Sequence, residues 1–144
     1  MECLGGNGYV EESGLPRLFR ESPLNSIWEG SGNVLALDVL RALARDEPAQ
    51  AAIRAELALA SGSDDRYDAA HRALLAEFED LDPANARRRA QQLALLLQAN
   101  LLLRHAPAEI GDAFCATRLG GGHSLGVLPA WVDRDLLLER AFPA

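Results

Sequence analysis

The sequence predicts an all-α fold, an antiparallel helical bundle. Three observations predict it. Apolar residues recur at spacings of three and four over long stretches from Val34 onward. No alternating strand pattern runs for more than a few residues. The connections between the helical stretches are short, which favours antiparallel neighbours.

Residues 1–33 read as an irregular segment. Gly5, Gly6, Gly8, Gly14, Pro16, Pro23, Gly30 and Gly32 all fall there. From Val34 to Ala44 the pattern turns helical. Val34, Leu37, Leu40 and Leu43 repeat every third residue, and Ala36, Val39 and Ala44 widen the stripe. Pro48 breaks it. An alanine- and leucine-rich helix over about 49–60 follows and stops at "SGSDD", a loop that ends in N-cap chemistry.

The next helix covers about 65–80. Tyr67, His71, Leu74, Phe78 and Leu81 share one face of it. Asp82-Pro83 restarts a helix, aspartate as N-cap and proline in the first turn. That helix runs to about His105. Its second half is apolar nearly all round, the pattern of a central helix. Pro107 starts another, which ends before Gly120-Gly121-Gly122. A last helix over about 132–141 is expected to turn Leu136, Leu137 and Ala141 inward.

Composition narrows the function classes. The 144 residues suffice for one modest domain. The net charge is −7, and every basic residue is arginine or histidine. Such a chain is a poor generic polyanion binder, because nucleic-acid affinity rests on phosphate neutralisation. Cys3 and Cys115 lack metal-ligand spacing and are expected as reduced thiols in a cytoplasmic protein. No basic region followed by a long apolar run opens the chain, so no secretory leader is expected. The longest apolar run, Leu93 to Leu103, is broken by Gln98 and Asn100. It falls short of the roughly 20 residues that span a bilayer, so no membrane partner is expected.

Glu29 is the first candidate for chemistry. It lies between Trp28 and Gly30, just before a helix. An indole beside a carboxylate disfavours the charged form and suits a base. Gly30 permits a positive φ or a close ligand approach. Ser31 and Asn33 sit where free helix N–H groups can meet anionic or carbonyl groups. The plainer reading is a capping loop with a solvated glutamate. "LGGNGY", residues 4–9, could cradle a phosphate, but it lacks the features of a P-loop or a dinucleotide fingerprint and also reads as a tight turn.

His71, His105 and His123 show no metal-ligand spacing, and no metal is expected. Ser124 beside His123 lacks the third group of a triad. Arg87-Arg88-Arg89 point about 100° apart on a helix and read as a solvated face rather than a binding stripe. From Ala36 onward 12 arginines stand against 16 acids, a net −4.

Taken together, "ECLGGNGYVEESGLPRLFRESPLNSIWEGSGNVLALDVLRAL" resembles the C-terminal helical region of acyl-CoA dehydrogenases. The shared pattern is a Gly-Gly-x-Gly-aromatic step, an R-x-x-R linker, then I-x-E-G-T/S opening a helix. Arg17, Arg20, Ile27, Glu29, Gly30 and Ser31 fall at its places. The wording "SIWEGSGNVLALDVLRAL" and the helical extension ending "DLLLERA" look most like the AidB-like branch. The resemblance is strong over residues 2–43 and weaker beyond. It divides the chain into 1–45, with the flavin and base motifs, and an extension over 46–144.

The resemblance implies an FAD flavoenzyme that oxidises acyl-CoA thioesters. Glu29 would remove the α-proton while a hydride leaves the β carbon for the flavin. Ser31 and Asn33 would contact FAD, and Gly30 would hinge the motif. Gly5 and Gly6 would meet FAD across a subunit interface, which implies a homo-oligomer. Glu2 stands where a glutamine is common, and Ser31 replaces the commoner threonine. Trp28 would wall the acyl site. The branch is also associated with double-stranded DNA binding, for which Arg41 is the residue to test. The opening in mid-pattern leads us to expect a piece of a longer protein, without the family's N-terminal and middle β domains. The rival reading is a helical module that binds DNA or a protein partner, linked to alkylation response and without catalysis. The blandest is a truncated product without activity.

Overall fold

The computed structural model describes residues 2–78, 82–120 and 128–142. Among them are seven α-helices and no strand: α1 (Leu15–Glu21), α2 (Gly32–Arg45), α3 (Glu47–Ala58), α4 (Asp65–Ala76), α5 (Ala86–His105), α6 (Ala108–Arg118) and α7 (Arg134–Ala141). Short 3-10 turns at Glu2–Gly8, Ser22–Ser26 and Pro83–Asn85 link them. Leu81, His123 and Ser124 lie outside the described residues.

The helix starts follow one chemistry. Asp46, Asp64, Asp82 and Asp133 each accept a hydrogen bond from a backbone N–H of the following turn. Each satisfies a donor that a helix leaves orphaned. Pro48 is part of this. It does not only end α2 but lies in the first turn of α3, behind the Asp46 cap.

α5 is the hub, packing against α2, α3, α4 and α6. The main core joins Leu43 of α2, Leu57 of α3, Tyr67 and Leu74 of α4, Leu96 and Ala99 of α5, and Cys115 of α6, with Phe78 beside them. The expected α4 face is therefore the buried one. A smaller cluster of Ala36, Leu40 and Ala86 seals α2 to α5. Across the turn from α5 to α6, Gly111 lies so close to α5 that a Cβ there would stand 3.3 Å from Leu103 Cα.

Polar groups inside the bundle serve the end of α3. The last carbonyls of a helix have no partner within it. The Tyr67 hydroxyl donates to the Leu57 carbonyl at 2.6 Å. Asn100, fully buried, donates from Nδ2 to the Glu56 carbonyl at 2.9 Å. Arg104 holds the Glu56 carboxylate at 2.7 Å. Arg66 ties α4 to α6 by bridging Asp64 and Asp112.

Three expectations need correction. Residues 1–33 are not wholly irregular, because Pro16 sits in the first turn of α1 and starts it. The Arg87–Arg89 run is not uniformly solvated. Arg89 is buried and paired with Glu77, while Arg88 reaches the same carboxylate from the surface at 3.3 Å. Ala141 is exposed, and Leu136 and Leu137 are only half-buried. α7 has eight residues, and Val132 just before it is the side chain that anchors the segment.

Candidate functional site

The stretch from Ile27 to Asn33 is built around an unusual backbone. Trp28 N–H closes a turn on the Leu24 carbonyl at 3.0 Å, and Gly30 N–H reaches the Ile27 carbonyl at 3.4 Å. Between them Glu29 has φ 60°, and Gly30 follows at φ 127°. Among the described residues Glu29 is the one non-glycine with positive φ. A side chain in the left-handed region meets its own backbone, so it costs energy there. Such positions cluster at functional sites.

The turn delivers the chain into α2. Ser31 is the N-cap residue, with extended backbone (φ −68°, ψ 154°). Its hydroxyl makes no capping bond. The first amides of α2 therefore lack the side-chain acceptor that aspartates supply to α3, α4 and α7. Ser31 and Asn33 are both exposed at this end. The Asn33 Oδ1 accepts from Arg87 Nη1 of α5 at 3.3 Å. A cleft of about 390 Å³ lies beside it, lined by Gly32, Leu35, Ala36, Val39, Arg87, Ala90 and Gln91.

Trp28 is 55% exposed and Glu29 is exposed as well. Within this chain the indole does not cover the carboxylate, so desolvation of Glu29 needs further protein or substrate. The same holds for the segment as a whole. Leu4, Tyr9, Leu18, Phe19, Leu24 and Ile27 all stand at least half exposed. α1 packs mainly on the adjoining Ser22–Ser26 turn. So much apolar surface in one segment marks a face that meets another surface.

The glycine pair lies apart, in the Glu2–Gly8 turn. Gly5 kinks it at φ 54°, ψ −138°. Beyond its own chain neighbours, a Cβ at Gly5 or Gly6 would meet no atom of the described residues within 4 Å. Among the described residues nothing crowds the pair, which leaves room for a ligand or partner backbone. A second cleft of about 370 Å³ is framed by Tyr9, Val10, Glu11, Pro16, Phe19 and Arg20. The Arg20 fork on Glu11, at 2.5 and 3.2 Å, closes one side and holds the Glu11 carboxyl below its usual range. Arg17 pairs with Glu21 at 3.2 Å.

Glu29, Gly30, Ser31 and Asn33 are thus brought together at the mouth of α2. Arg41 lies further along α2, paired with Asp38 on the same helix. The sequence pattern placed Gly32 only among the glycines of an irregular segment and Arg87 on a solvated face, so neither was tied to this site. Arg87 is distant in sequence, and only the packing of α5 on α2 brings it to Asn33. No helix among the described residues is long and apolar enough to cross a membrane.

Comparison with known proteins points the same way. The family model described as "Acyl-CoA dehydrogenase, C-terminal domain" matches residues 1–44. The chain is 39% identical over 141 residues to "Putative acyl-CoA dehydrogenase AidB" of Escherichia coli (strain K12), covering 96% of this chain and 26% of that protein. It is 53% identical over 47 residues to "Acyl-CoA dehydrogenase family member 11" of Caenorhabditis elegans, covering 33% of this chain and 8% of that one. The chain thus spans about a quarter of the first relative and less than a tenth of the second. On these matches, and with the all-α bundle that carries them, the chain belongs to the acyl-CoA dehydrogenase family.

Proposed function

We propose that this chain is the C-terminal portion of an FAD-dependent acyl-CoA dehydrogenase-like flavoprotein. Residues 1–45 carry the flavin and base motifs, and 46–144 form the helical extension. The protein acts in the cytoplasm as a homo-oligomer and needs the family's remaining domains for activity. The exposed apolar face of residues 4–28 supports that last point, since it calls for a covering surface.

One observation carries the reading. Glu29 alone among non-glycine residues described holds a left-handed backbone, inside the family's I-x-E-G-T/S pattern. That backbone costs stability, and a side chain that leaves the turn in an unusual direction is the gain. The residues present also fit one edge of FAD. The first amides of α2 have no side-chain cap, the Ser31 hydroxyl makes no capping bond, and Gly5 and Gly6 leave open space. Ser31, Asn33 and the α2 N-terminus would hold polar oxygens of the cofactor, and Gly5 and Gly6 a segment of it from a neighbouring subunit. Bound FAD supplies a two-electron acceptor. Glu29 takes the proton from the carbon α to the thioester carbonyl. That proton is weakly acidic, so the base must be close, aimed and dry. Trp28, next to Glu29, would form a wall of the acyl site and exclude water once covered.

The DNA alternative lacks a favouring observation. Arg41 is engaged by Asp38, and acids outnumber arginines from Ala36 onward. To test the flavin reading, this chain is combined with an N-terminal complement and FAD and passed over gel filtration. Flavin absorbance should travel with the protein. Protein eluting free of flavin would overturn it.

A further inference from the structure

We infer that Arg87 is a positioning residue for Asn33, fixing which end of its carboxamide faces the cofactor. This rests on the reading that Asn33 contacts FAD. Arg87 belongs to α5, beyond the 44 residues that match the family's domain. It reaches back across the bundle to the mouth of α2, and its Nη1 donates to Asn33 Oδ1 at 3.3 Å.

The direction of that bond follows from chemistry. A guanidinium has only donors, so the amide end facing it must be the oxygen. The Asn33 NH2 is then the end left for a ligand. Without Arg87 the carboxamide can turn over, and half of its orientations would offer an acceptor to a cofactor oxygen.

A second, independent feature makes room for this contact. Gly32 is not among the residues with positive φ, so its backbone does not require glycine. A Cβ at that position would stand 3.3 Å from Arg87 Nη2 and 3.6 Å from Cζ. The guanidinium lies against the bare Cα of residue 32. Gly32 thus serves the packing of Arg87, and the cleft between α2 and α5 stays open beside both.

The test measures FAD affinity by flavin fluorescence in the complemented holoprotein. Arg87→Leu should weaken FAD about three- to tenfold, the range for one lost hydrogen bond. Asn33→Ala should weaken it similarly. The double variant should be no weaker than Asn33→Ala, because Arg87 acts through Asn33. Arg87→Lys should restore part of the loss, and Gly32→Ala should reproduce part of it. A merely structural Arg87 would give additive losses, which overturns the inference. So does a loss for Asn33→Ala with none for Arg87→Leu. If Asn33→Ala has no effect, or the unmodified protein binds no flavin, the cofactor reading fails and the inference with it.

Discussion

Replacing Glu29 by glycine should stabilise the fold while removing the proposed base. Glu29 is exposed, at φ 60°, and its carboxylate has no hydrogen-bond or ion-pair partner among the described residues. Glycine relieves a left-handed strain of about 1–2 kcal/mol. It also adds disorder to the unfolded chain, which costs about 0.4–1 kcal/mol. The net is a gain of about 0.5–1 kcal/mol, or about 1–4 °C in Tm at this size. Glu29→Ala is the control. It keeps the Cβ, and therefore the strain, and should stay within about 0.5 kcal/mol of the parent. Urea unfolding followed by circular dichroism compares all three. Equal stability of the glycine and alanine variants, or a loss with glycine, would refute the claim that the folded chain holds Glu29 in a strained conformation.

Three further expectations follow from the bundle. Tyr67→Phe should cost about 1–3 kcal/mol in the same assay, because it strips a buried carbonyl at the end of α3 of its donor; no change would mean that carbonyl finds another partner. His71 is buried, and burial pushes its pKa below the ordinary value of 6.5. The unfolded chain then binds the extra proton as pH falls through 6.5, so stability present above that pH declines below it. His71→Leu should flatten the change in urea midpoint between pH 7.5 and 5.5, and parallel curves would count against the assignment. The Cys115 thiol is fully buried and pushed up to about 11, whereas Cys3 is exposed. A thiol reagent at pH 8 should therefore label Cys3 alone until the protein unfolds; fast labelling at Cys115 would show the core open.

The helices that bury a periodic face were legible in the sequence. α2 and α4 show stripes at three- and four-residue spacing, and the Asp64 and Asp82 caps are written beside their helices. α1 was hidden because proline reads as a break, although in a first turn it begins a helix. Arg89 was hidden because burial of an arginine depends on Glu77, at the far end of another helix. Ala141 was misjudged because apolar residues alone do not say whether anything lies opposite. At the site, the motif from Glu29 to Asn33 was readable as a pattern of residue types. Its left-handed backbone was not, since a glutamate gives no sign of positive φ. The meeting of Arg87 with Asn33 depends on helix packing across more than fifty positions, which no local pattern encodes.

The claim that Glu29 is the base can be tested by one spectroscopic comparison. The FAD-loaded, complemented protein and its Glu29→Gln variant are mixed anaerobically with acyl-CoA, and flavin absorbance is followed. The parent should bleach, while the variant keeps its flavin and does not bleach. Unchanged bleaching in Glu29→Gln would contradict the account and place the base elsewhere.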